Sequence, residues 1–157
     1  VDKIYIDQPI KTEGFKKQIC PDLAIIKNNK ITHLIDLKMD LGWKRDGLLD
    51  FCNKWQSIIN DFKGTGLKLR DGESKKDFFY KYRKTLTYNI VIVSAKNISN
   101  KKLMSQITES KKNNKDVNVY VLSKGAHPNE YGYTVKEVMN EIIINDKGIK
   151  KLLKSIG

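Results

Sequence analysis

The stretch Pro21-Asp22-Leu23-Ala24-Ile25-Ile26-Lys27-Asn28-Asn29-Lys30-Ile31-Thr32-His33-Leu34-Ile35-Asp36-Leu37-Lys38 decides how this chain is read. Residues 20–27 and 31–40 are rich in β-branched and other apolar residues, and they flank Asn28-Asn29, a turn signal. With a two-residue turn, cross-strand partners sum to 57, Asp22 faces Ile35, and the two aspartates fall on opposite faces. With a three-residue loop, Asn28 to Lys30, partners sum to 58 and Asp22 lies opposite Asp36. The two Cβ atoms are then about 4.5–5.5 Å apart. In this second register Asp22, Ala24, Ile26, Thr32, Leu34, Asp36 and Lys38 share one face. Leu23, Ile25, His33, Ile35 and Leu37 share the other, which is expected to be mostly core. A three-residue loop or an equivalent bulge is therefore expected, with Asn29 or Lys30 in a left-handed conformation.

Two carboxylates facing each other at a strand end repel unless a cation lies between them. Oxygen donors of this kind suit Mg²⁺, with Mn²⁺ as a substitute, and leave several waters on the ion. Lys38 projects from the same side about 6–7 Å beyond Asp36. Its ammonium can orient a water or hold a phosphate oxygen, so the set suits metal-assisted phosphodiester hydrolysis. The plain alternative is a surface hairpin on which Asp36 and Lys38 are ordinary same-face charges.

Around the hairpin, residues 48–62 form an amphipathic helix: Leu48, Phe51, Cys52, Trp55, Ile58, Ile59 and Phe62 recur at helical spacing, and Gly64-Thr65-Gly66 ends it. Ser74 followed by Asp77 suggests a short helix over 74–84. Residues 88–95 and 117–122 read as strands buried on both faces, with a helix over 101–113 between them, which implies a right-handed parallel crossover. Thr134 and Glu137 form a capping box before Val138, and a last helix covers 149–156. The expected fold is α/β, a mixed β-sheet flanked by helices.

At 157 residues, with no internal repeat and no linker composition, residues 1–157 are expected to form one domain. The first residue is Val, which suggests a trimmed N-terminus or a piece of a longer chain. Thirty Lys+Arg against eighteen Asp+Glu give 30 − 18 = +12. Residues 1–40 contribute only +1 of this (seven Lys, six acids), so the basic surface comes from the rest. Such an excess points to a polyanionic partner, nucleic acid being the commonest, although Lys-rich chains also arise from AT-rich coding. No apolar run approaches the roughly 18 residues that span a bilayer, so no membrane role is expected. No apolar stretch follows Val1-Asp2-Lys3, so no leader is expected either. Cys20 and Cys52, without CxxC spacing or a Cys/His cluster, suggest buried thiols in a reducing, cytoplasmic compartment rather than a disulfide or zinc site.

Pro-Asp, thirteen residues, then Asp-Leu-Lys, on a hairpin followed by a helix and a further strand, resembles the PD-(D/E)XK nuclease superfamily. The resemblance covers roughly residues 15–95. It implies a restriction-endonuclease-like core and a metal-dependent endonuclease, with DNA favoured as substrate. Asp22 and Asp36 would hold Mg²⁺ together with the Leu37 carbonyl, and Lys38 would activate the attacking water or stabilise the pentavalent phosphorus. Many members add an upstream acid; Glu13 is the better candidate here and Asp7 the poorer, and Asp40, in phase with Asp36, is a further one. An RNA endonuclease of the same fold and a non-catalytic nucleic-acid-binding module remain alternatives. Cap-snatching members carry a histidine upstream of Pro-Asp, and this chain has none before His33. Many such nucleases work as homodimers or within larger assemblies, but no interface is legible in the sequence.

Segment 63–84 interleaves cations with Phe78, Phe79, Tyr80 and Tyr82. Lys68, Arg70, Lys81 and Arg83 are candidates for phosphate contact, and the rings for stacking on bases, with Phe79 expected in the core. Lys44 and Arg45 follow the second strand of the hairpin and are expected beside the cleft. His33 is expected to be structural, and His127 to be an ordinary loop residue. Ser94 and Ser123 lack the His/Asp neighbours of a nucleophilic triad.

Overall fold

The computed structural model describes residues 1–41, 47–126 and 132–157. Along the described chain run β1 (Lys3–Ile6), β2 (Ile10–Thr12), β3 (Leu23–Lys27), β4 (Lys30–Lys38), α1 (Leu48–Phe62), β5 (Gly66–Arg70), β6 (Asp77–Ser94), α2 (Asn100–Asn113), β7 (Val117–Lys124), α3 (Val135–Glu141), β8 (Ile143–Ile144) and α4 (Asp146–Ile156). Together they form an α/β fold with a mixed, curled sheet flanked by helices.

The hairpin has a two-residue turn rather than the expected three-residue loop, and the equivalent bulge restores the expected register. Asn28 and Asn29 both have left-handed backbone angles, φ 51° and 57°, and Lys27 pairs with Lys30 across a two-residue turn. This is type I′ geometry, which asparagine tolerates because its short side chain can bond locally. Near the turn the partner sum is 57, but it shifts to 58 between Ile25 and Ile26. Thr32 is the extra residue; its hydroxyl donates to the Ile25 carbonyl at 3.2 Å. The bulge carries the far end of the hairpin into the register in which the two aspartates share a face.

Strand β6 organises the sheet. One flank pairs in parallel with β4 from Lys81 to Ile92. The other flank first meets β5, antiparallel, and then β7, parallel. Helix α2 makes the crossover from β6 to β7, as the two apolar runs imply. The sheet path β1-β3-β4-β6-β5-β2 curls enough for the Tyr5 hydroxyl of the outer strand to meet that of Tyr80 at 3.1 Å.

The 74–84 helix is not formed. Asp71 instead closes a loop, its Oδ1 accepting from the Glu73 and Ser74 amides at 3.0 and 2.8 Å, and β6 begins at Asp77. Phe78, Tyr80 and Tyr82 alternate with exposed Phe79, Lys81 and Arg83. That period of two outweighs a Ser/Asp capping pattern with no apolar helical face behind it. Phe79, expected in the core, is exposed. Cys20 is exposed as well, and of the two thiols only Cys52 is buried.

Both sheet faces are covered, and the larger core lies on the side opposite to the expected one. Ala24, Leu34, Tyr88 and Ile90 face α1 and α2, joining Leu48, Cys52, Ile59, Leu103 and Ile107. Ile25, Ile35, Val91 and Tyr120 form a smaller cluster under Leu152 and Ile156 of α4. Helix α1 matches its expected span; Trp55 stacks on Tyr88 with ring centroids 3.8 Å apart and 11° between planes. Lys63 and Gln56 bind Asp116 at 2.5 and 2.9 Å and tie the same helix to the start of β7. The Thr134–Glu137 capping box is present in α3.

Candidate functional site

Leu23 pairs with Ile35 and Ala24 with Leu34; one further step in this register sets Asp22 opposite Asp36. The Asp22 carboxylate accepts a hydrogen bond from the Leu37 N–H, which fixes it against the Asp36–Leu37 peptide. On the neighbouring strand, Lys38 Nζ donates to Asp36 Oδ2 at 2.6 Å, with the two side chains 32% and 15% exposed. Three of the residues singled out in the sequence are therefore gathered at one end of β3 and β4, and Leu37 supplies backbone between them.

Tyr88 is a participant the sequence did not reveal. It is buried beside Asp36: burial, followed by the charges of Asp36 and Asp22, pushes its ionisation far above the ordinary phenol range. Tyr88 therefore remains a neutral phenol next to the carboxylate. Trp55 of α1 stacks on the ring, so the helix following the hairpin holds a tyrosine of the next strand beside Asp36. Only the parallel pairing of β4 with β6 brings Tyr88 here, and no local pattern signals that pairing.

The upstream acids exchange rank. Glu13 stands over Gly66, where a Cβ would lie 2.3 Å from its Oε2, and it shares a cavity with Asn28, Asn29 and Lys30 at the turn end of the hairpin. This is the opposite end of β4 from Asp36, so Glu13 does not join the site. Asp7 does approach it: its N–H donates to the Asp22 carbonyl at 3.0 Å. Burial, then the Asp7 and Asp22 carboxylates, push the Cys20 thiol up. Asp40 lines a small cavity with Lys38, Leu48 and Phe51.

Lys44 and Arg45 lie outside the described residues, as does His127. Lys68, Arg70 and Lys81 belong to the β5–β6 hairpin and the turn end of the sheet, away from Asp36. Lys68 pairs with Asp77 at 3.2 Å. Arg83 is near enough to His33 for its charge to be felt there. His33 is half-buried, bonded through Nδ1 to the Thr32 hydroxyl at 2.8 Å, and is structural as expected.

The donor chemistry of Asp22, Asp36 and the Leu37 carbonyl fits a hard divalent ion that keeps most of its water, since all three offer oxygen. The Lys38 ammonium is at present the cation on Asp36. Among the described residues no group of three or more His, Cys, Asp or Glu side chains is arranged to hold a metal. Among the described residues, too, no helix is long and apolar enough to cross a membrane. No protein-family model, curated protein or solved structure matches the chain.

Proposed function

We propose that the chain is a Mg²⁺-dependent endonuclease of the PD-(D/E)XK type, with a restriction-endonuclease-like core, hydrolysing DNA phosphodiester bonds. The observation that carries this is the convergence of Asp22, on the Leu37 amide, with the Asp36–Lys38 pair at one strand end. The order of elements supports it: a β-hairpin bearing both acids, a helix packed over it, then a strand parallel to the second acidic strand. The net charge of +12 suits a polyanionic substrate.

Asp22, Asp36 and the Leu37 carbonyl would hold the ion. When bound, Mg²⁺ neutralises phosphate charge and lowers the pKa of a coordinated water. Asp36, with the neutral Tyr88 beside it, keeps Lys38 at the strand end. The Lys38 ammonium can donate there to an attacking water or to a non-bridging phosphate oxygen. Water oxygen bonds to phosphorus as the water loses a proton to solvent, the bond to the leaving alkoxide breaks, and that alkoxide takes up a proton from solvent.

Cleavage of supercoiled plasmid, branched DNA, single-stranded DNA and RNA in Mg²⁺ or Mn²⁺ tests this. Lys38→Ala should reduce cutting by about 10²–10⁴-fold. RNA as the sole substrate would replace DNA by RNA in the proposal. Salt-sensitive binding with no cutting of any substrate would overturn it in favour of a binding module.

A further inference from the structure

Phe79 lies in the antiparallel part of β6 with 71% of its surface exposed, more than any other aromatic ring among the described residues. Its neighbours behave otherwise: Phe78 and Tyr80 are half-buried and Tyr82 is buried, all on the opposite face. Leaving a phenyl ring in water forgoes roughly 1.5–3 kcal/mol of burial. The ring is carried on paired backbone, with Lys68 of β5 directly opposite.

Sheet register surrounds this ring with cations. Lys11 of β2 lies opposite Lys68, and Lys81, two residues beyond Phe79, pairs with Lys30 of β4. Two open cavities of about 440 and 380 Å³ share Phe79 and Glu13; one runs towards Lys11 and Lys68, the other towards Lys30 and Lys81. Acids are few on this face: Asp77 is paired with Lys68, and Glu13 stands over Gly66.

We propose that this face binds an unpaired nucleic-acid strand, with a base stacked on Phe79 and phosphates on the flanking lysines. Every base presents a π-face, and stacking on an exposed ring tolerates any sequence. A duplex keeps its bases stacked on each other, so it cannot use the ring. Glu13 repels phosphate beside Phe79, which favours a base over the ring and backbone along the lysines on either side. The face is opposite to that of Asp36 and at the other end of β4, six residues or about 20 Å away. The proposal rests on the preceding one only for the class of partner; a chain that binds single strands without cutting them would leave it intact.

The test uses the whole chain in EDTA, where metal-dependent cleavage is absent, with labelled twelve-nucleotide dT and rU strands and a duplex of equal length. Wild type should prefer a single strand, the two oligonucleotides showing whether deoxyribose or ribose is favoured. Phe79→Ala should weaken single-strand binding roughly 5- to 150-fold while leaving thermal stability unchanged. Phe79→Trp should keep binding, and the added indole emission should be quenched on saturation. Equal affinity of Phe79→Ala and wild type, unquenched Phe79→Trp emission at saturation, or preference for duplex would each overturn the proposal. So would polyglutamate that competes equally well against wild type and Phe79→Ala, since that would mean the face responds to charge alone.

Discussion

Replacing Asp36 with asparagine removes one of two carboxylates set across the same register, keeps the shape, and separates charge from packing. Two unit charges about 5 Å apart at an effective dielectric constant of about 20 repel by about 3 kcal/mol. The wild type recovers part of this. The Lys38–Asp36 pair, at 2.6 Å and partly exposed, contributes about 0.2–1 kcal/mol. The neutral Tyr88 hydroxyl beside Asp36 favours a carboxylate there over an amide by about 1 kcal/mol. The balance favours the variant by roughly 1–2 kcal/mol in EDTA, a rise in Tm of roughly 2–8 °C for a chain of this size. With Mg²⁺ at tenfold its Kd the wild type should gain about 1.4 kcal/mol, and Asp36→Asn should lose most of that gain. Thermal melts in EDTA, Mg²⁺ and Mn²⁺ give both numbers. A variant that melts below wild type in EDTA would refute the crowding of charge. One that keeps the full response to divalent ions would refute the metal site.

Gly148→Ala tests the seating of α4. Alanine normally gains about 1 kcal/mol over glycine in a helix, but here the new Cβ would fall 2.2 Å from the Val121 carbonyl oxygen. That oxygen is backbone and cannot yield, so α4 must lift from β7, at a net cost of about 1–3 kcal/mol in urea unfolding; a variant as stable as wild type would refute it. His33 gives a pH dependence. Burial, chiefly, with the charges of Lys27 and Arg83, lowers its pKa below 6.5, against a Ser155 backbone hydrogen bond that raises it. The unfolded chain then binds a proton below about pH 6.5 that the folded chain resists, so His33 lowers stability as pH falls from 7 towards 5. Urea midpoints at pH 7 and 5 should diverge less in His33→Gln than in wild type, and equal divergence would refute the assignment.

Helix α1 was legible to the residue because its apolar spacing is local, and the capping box of α3 because both partners lie within one turn. The sequence pointed to the register that pairs Asp22 with Asp36, but the expected three-residue loop is replaced by a two-residue turn and a bulge. Asn28-Asn29 allowed a type I′ turn, and the hydrogen bond of Thr32 to Ile25 created the bulge that restored the register. The 74–84 stretch carries a helix-capping pattern, but its serine serves the Asp71 loop instead. The short strands β1 and β2 went unread because each has four residues or fewer, too few for alternation to stand out from loop.

By itself, then, the sequence determined the elements whose stability is local: the asparagine turn, the amphipathic helix, the apolar strands and their crossover, and the run that carries Asp22, Asp36 and Lys38. Tertiary structure alone decided which distant groups meet them. The parallel pairing of β4 with β6 brought Tyr88 to Asp36, and curling of the sheet carried Glu13 to the turn end while Asp7 came to Asp22. It also left Phe79, rather than its neighbours, in water among lysines. Such choices turn on strand register and sheet curvature, which are set by long-range pairing and burial summed over the whole chain, and no window of neighbouring residues contains that sum.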